Sequence, residues 1–208
     1  MFFFTTILAD ESTWFHSNGN YKSQKYSGLG QINSKNVSNL KLLWSYQNGY
    51  VPDKRATNQS IPIFTGSSLI VTSLDNYIIA LDPEKGNEKW RTKLPAVAGK
   101  RGITFKKFNN ERLIFVPTSK GIKIINEKNG KIFSRIGNKG TFGDTLTLVP
   151  PITDNKNIFV AFRTKIESFA LNGNGKPLWS VGLNGARIWS GFSFDKKTNS
   201  LIAVTSNL

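Results

Sequence analysis

Cysteine is absent from the 208 residues, so neither a disulfide framework nor a thiolate metal site can be built, and the redox compartment cannot be read from cysteine usage. Histidine occurs once, as His16, which removes paired-histidine metal sites and Ser-His-Asp catalysis from consideration. Acidic residues are scarce, 13 against 28 basic, and no carboxylate pair of the glycosidase kind stands out. Several of the acids, Asp82 and Glu127 among them, precede turns, where a carboxylate caps backbone N–H groups. No apolar run approaches the ~18 residues of a membrane span. Gly173-Asn174-Gly175-Lys176 is not a phosphate loop, because Pro177 stands where Ser or Thr is required and the spacing is wrong; it reads as a hairpin turn.

The net charge of +15 raises the question of nucleic acid. The basic residues do not form a stripe, however. Lys106-Lys107 and Lys196-Lys197 are isolated pairs, and Lys85, Lys128 and Lys176 fall at turns, so a solvated surface explains them, with no nucleic-acid partner. A weaker reading is steering of an acidic redox partner or an anionic surface. The opening MFFFTTILAD resembles the end of a secretory signal with cleavage after Ala9, although it lacks a basic leader; a buried N-terminal strand is the competing reading. The expectation is export to the periplasm, with 1–9 a signal remnant and 10–208 one partial domain.

What is present is a repeat, with a period of roughly 44 residues, in the range of propeller blades. Leu69 to Trp90, Leu113 to Phe133 and Ile158 to Trp179 are copies of one unit, and Leu201 to Thr205 begins a fourth. Each copy reads as strand, turn, strand, hairpin turn, strand. The hairpin turns Pro83-Glu84-Lys85-Gly86, Glu127-Lys128-Asn129-Gly130 and Asn172-Gly173-Asn174-Gly175 supply Gly or Asn where positive φ is needed. Trp90, Phe133 and Trp179 close their units at matching places, and Trp44 ends a similar strand earlier; such aromatics would pack between neighbouring sheets. The fold class expected is all-β, a propeller of four-stranded blades with about four present. The chain reads as the front part of a longer propeller, with half-covered apolar faces and an unpaired sheet edge at its C-terminal end.

Trp14 to Trp44, WFHSNGNYKSQKYSGLGQINSKNVSNLKLLW, resembles the opening segment of the quinoprotein dehydrogenases, eight-bladed propellers that bind pyrroloquinoline quinone (PQQ) and Ca²⁺. In that family the segment threads across to complete the last blade. The resemblance implies site positions one by one. Gln59 in TNQSIP falls where the family places Glu or Gln near the quinone. Arg101 in KRGITF matches an arginine that pairs with quinone carboxylates, a pairing suited to its bidentate fork. Thr147 in GDTLTLVPP corresponds to a threonine that hydrogen-bonds the cofactor. Trp189 in RIWSGF matches the indole floor beneath the ring, and Asn207 an amide ligand to Ca²⁺. Each also has a plain structural reading: Trp189 as a packing aromatic, Arg101 as a surface charge, Asn207 as a turn residue.

Two departures stand out. Where the alcohol-oxidising members carry Ser-Gly-Ala-Glu, with Glu a metal ligand, this chain has Phe162-Arg163-Thr164-Lys165-Ile166-Glu167, and only Glu167, one place off, could substitute. One step along a strand sends a side chain to the opposite face. The vicinal cysteine pair of some members is missing, and the family's catalytic aspartate is expected beyond residue 208. The resemblance implies oxidation of an alcohol or aldose sugar in the intact protein, with electrons passed to a cytochrome c or membrane quinone, and no turnover by this chain alone. The competing reading is a non-catalytic propeller scaffold for protein contacts.

Overall fold

The computed structural model describes residues 13–50, 58–133, 141–142 and 146–206. No α-helix occurs among them; one 3-10 turn spans Val37–Asn39. The strands are β1 (Ile63–Phe64), β2 (Leu69–Thr72), β3 (Tyr77–Leu81), β4 (Glu88–Lys93), β5 (Thr104–Phe108), β6 (Glu111–Thr118), β7 (Gly121–Asn126), β8 (Thr141–Phe142), β9 (Ile152–Thr153), β10 (Asn157–Ala161), β11 (Lys165–Ala170), β12 (Pro177–Gly182), β13 (Ile188–Asp195) and β14 (Ser200–Thr205). They form four antiparallel sheets in chain order, β1 to β4, β5 to β8, β9 to β12, and the pair β13 and β14.

Alternation along the strands explains how the sheets stack. In β6, Ile114 and Val116 pack against Ile63, Ile70 and Ile78 of the first sheet, while Leu113 and Phe115 pack against Ile158 and Val160 of the third. In β10, Phe159 and Ala161 turn the other way, toward Ile188, Phe192 and Phe194 of the fourth. β6 and β10 are thus buried on both faces, which is why LIFV and IFVA read as unbroken apolar runs rather than alternating ones. The last strand, β14, is covered on one face, and Ile202 and Val204 on the other stand 55% and 67% exposed.

Residues 14–21 tie the sheets together along one line. Trp14 exchanges backbone hydrogen bonds with Phe64 of β1 at 3.0 and 2.9 Å, and the Phe15 carbonyl accepts from Phe105 of β5 at 2.7 Å. The Tyr21 hydroxyl bonds Thr153 Oγ1 of β9 at 2.8 Å, and its carbonyl accepts from Phe194 of β13. One short segment therefore meets the first strand of all four sheets, so those four strands surround a common centre and the rest of each sheet extends outward.

The outer joints repeat as well. The Trp44 indole donates to the Pro83 carbonyl at 3.1 Å and lies so close over Gly86 that a Cβ there would sit 2.5 Å from the ring. Trp90 does the same one sheet later, donating to the Glu127 carbonyl at 2.8 Å and covering Gly130, where a Cβ would sit 2.6 Å away. Both glycines also hold positive φ, 70° and 73°, so Gly is required there on two counts. The chain around Trp44 belongs to no strand ladder, contrary to expectation, since no neighbouring strand pairs with it among the described residues. Trp179 stacks on Phe159 of its own sheet and remains 41% exposed.

Glu127 locks sheet two to sheet one. Its carboxylate accepts from Arg112 Nε at 2.7 Å, Thr65 Oγ1 at 2.6 Å and Ser67 Oγ at 2.9 Å, while Arg112 also reaches the Thr65 carbonyl. Burial pushes this carboxyl up, yet the bonds from Arg112, Thr65 and Ser67 outweigh that and hold it at about 2. Glu127 is more than a turn cap: it is the buried charge of an inter-sheet joint.

Candidate functional site

The sequence positions singled out for the quinone occupy equivalent places in the repeat. Gln59 precedes β1, Arg101 precedes β5, Thr147 precedes β9 and Trp189 lies at the start of β13, each beside the first and innermost strand of its sheet. Two of them meet directly: the Arg101 guanidinium lies over the Trp189 ring, 5.3 Å from its centroid, although 88 positions separate them in the chain. A guanidinium on an indole face is held by the ring quadrupole while its N–H groups remain free to bond outward. With 41% of Trp189 exposed, ring surface remains open to a planar ligand.

Trp189 lines a cleft of about 250 Å³ together with Leu146, Leu148, Ala161, Phe162, Arg163, Arg187 and Ile188. Thr147 lies between the two leucines. Its backbone N–H bonds the Thr118 carbonyl at 3.0 Å; its side chain is buried and does not line the cleft, and its hydroxyl has no hydrogen-bond partner among the described residues. Apolar walls, an aromatic plate and guanidinium donors fit a flat aromatic polycarboxylate such as PQQ.

Gln59 is exposed and lines no part of this cleft. Asn207 and the leader segment 1–9 lie outside the described residues. Glu167 does not face Trp189. Its neighbour Ile166 packs with Ile188, so Glu167 projects from the other face of β11, the face from which Phe169 packs toward sheet two, and its carboxylate pairs with Lys165 Nζ at 2.7 Å. Among the described residues no group of three His, Cys, Asp or Glu side chains could hold a metal ion.

Sequence reasoning missed Arg163 and Arg187 as cleft residues. Neither they nor Arg101 enter an ion pair among the described residues. The signal was available: Arg163 stands within the stretch that departs from Ser-Gly-Ala-Glu, and Arg187 is two residues before Trp189. Only the packing of β10 against β13 shows that both border one cavity.

Comparison with known proteins agrees with this architecture. The family described as "PQQ: Glucose/ethanol/alcohol dehydrogenase, beta-propeller domain" matches residues 14–156. The quinoprotein glucose dehydrogenase of Escherichia coli (strain K12) is 29% identical over 217 residues, covering 83% of this chain and 27% of that protein. Among solved structures, the quinohemoprotein alcohol dehydrogenase of Comamonas testosteroni superposes with a TM-score of 0.74 at 17% identity, covering 97% of this chain and 36% of that one. A europium-containing methanol dehydrogenase superposes with a TM-score of 0.70 at 21% identity, covering 94% and 42%. At such identities these two likenesses establish the fold, and the chain spans less than half the length of each of the three relatives. With its repeat, its sheets around one centre and a family match across residues 14–156, the chain belongs to the PQQ-dependent glucose/ethanol/alcohol dehydrogenase β-propeller family.

Proposed function

We propose that this chain is part of an exported, PQQ-dependent dehydrogenase that oxidises an alcohol or an aldose sugar in the periplasm and passes the electrons to a cytochrome c or a membrane quinone. The observation that carries this reading is the Arg101 guanidinium stacked on Trp189, whose ring in turn lines an apolar cleft. Trp189 offers a face on which a planar ring rests and Arg101 pairs with a ring carboxylate, while Thr147 is kept as a cofactor contact on the family resemblance alone. Leu146, Leu148 and Ile188 exclude water from the ring edge. When bound, the quinone would supply the electrophilic carbonyl that accepts two electrons from the substrate C–H bond. No residue of this chain is assigned as the base that removes the substrate proton, and Gln59 is kept only as an anchor at the periphery.

The test is titration of PQQ into the intact protein, followed by quenching of tryptophan fluorescence and by dye-linked oxidation of a panel of alcohols and aldoses. Wild type should bind, and Trp189→Ala and Arg101→Ala should each weaken binding about tenfold or more. A folded intact protein that ignores the quinone would instead support a scaffold without catalysis, a reading favoured by the inward absence of Glu167.

A further inference from the structure

We propose that Arg101 selects the ring that Trp189 accepts: its guanidinium covers the indole face and yields that face only to a planar ligand that carries a carboxylate. This rests on the quinone reading given above and adds to it a discrimination against uncharged rings. The two groups come from sheets separated by a third, Arg101 from the loop before β5 and Trp189 from the start of β13, and the guanidinium carbon lies 5.3 Å from the ring centroid. One face of an indole holds one plane at a time, so a guanidinium over it and a ring stacked on it exclude each other. A ring on the opposite face would leave the indole between its carboxylates and Arg101, and the two could not pair. Stacking on Trp189 and pairing with Arg101 are therefore compatible only if the guanidinium moves from the face to the ring's rim. There it exchanges a cation–π contact for a bidentate bond to a carboxylate. A ring without a carboxylate displaces the first contact and offers nothing in return.

The surroundings confine this movement to the Arg101 side chain. Gly99 donates its N–H to the Pro117 carbonyl at 2.7 Å, and a Cβ on it would lie 3.0 Å from the Leu148 carbonyl oxygen. Gly102, at φ 115°, sits so close to Ser17 that a Cβ would lie 2.5 Å from that side chain. The backbone on both sides of Arg101 is thus pinned to neighbouring segments, while the side chain is a half-buried, flexible stem with a planar end. Trp189 is placed by its strand. Ile188 pairs with Thr205 and Phe192 with Ala203, four steps along β13 against two along β14, so Trp189 stands on a bulge, a device that re-aims a side chain out of the ladder.

The experiment compares two tricyclic quinones on the intact protein by fluorescence quenching and calorimetry: PQQ, and the uncharged phenanthrenequinone. Relative to wild type, Arg101→Ala should bind PQQ about tenfold more weakly and phenanthrenequinone about fivefold more tightly, the second change being the cation–π contact that the neutral ring no longer has to displace. A gain in affinity cannot come from a misfolded variant. Should Arg101→Ala lose the wild-type circular dichroism, Arg101→Lys carries the test: it keeps the charge without the planar fork, and both affinities should move in the same directions by smaller factors. No gain for phenanthrenequinone in the folded variant overturns the inference, and PQQ binding to wild type then leaves the quinone reading intact. Absence of PQQ binding to folded wild type sinks both.

Discussion

Replacing Glu127 with Gln tests the joint between the first two sheets. The side chain is 2% exposed, and its carboxylate takes bonds from Arg112, Thr65 and Ser67, so neutralising it leaves Arg112 reaching into a buried site without its partner charge. A carboxyl held at about 2 instead of 4.5 in the folded protein corresponds to about 3 kcal/mol of stability at neutral pH. Because the folded value lies below the unfolded one, that contribution is complete above pH 4.5 and fades as the pH falls through 2. Glu127→Gln should therefore cost about 3 kcal/mol at pH 7 and much less at pH 2, flattening the acid limb relative to wild type. Urea unfolding followed by tryptophan fluorescence at pH 7, 4 and 2 gives both numbers. A variant within about 0.5 kcal/mol of wild type at pH 7, or one that keeps the wild-type acid slope, would refute the view that this carboxylate carries the joint.

Gly130→Ala should destabilise the protein by about 2–4 kcal/mol, combining a left-handed residue with a Cβ that displaces Trp90 and its bond to the Glu127 carbonyl; a change under 0.5 kcal/mol in denaturant unfolding would contradict it. Gly86→Ala should repeat the effect at the Trp44 joint, and Gly30→Ala, where no atom lies within 4 Å, should not. His16 is held by burial at about 4, below its ordinary 6.5, so its imidazole stays neutral down to pH 5 in the folded protein. The stability it contributes is full above pH 6.5 and declines toward pH 4. NMR of its Cε1 proton checks this, and a midpoint near 6.5 would show that the ring is solvated.

Periodicity alone determined the architecture. The turns at 83–86, 127–130 and 172–175 need residues tolerant of positive φ, and the apolar runs between them need partners, so the hairpins β3 to β4 and β11 to β12 were readable as local chemistry. The first strands of the sheets were poorly visible, because β1 and β9 span two residues each and owe their form to pairing rather than to pattern. Arg101, Thr147 and Trp189 were named from resemblance, but nothing in their spacing says that a guanidinium and an indole 88 positions apart come within 5.3 Å; stacking of one sheet on the next decides that. The sheets also decided against Glu167, since strand alternation is absolute once Ile166 is committed to the core beside Ile188. Arg163 and Arg187 became cleft residues, and Glu127 a joint, only in three dimensions. A linear pattern reports which face of a strand a residue occupies, whereas the charge it meets there belongs to a neighbouring sheet.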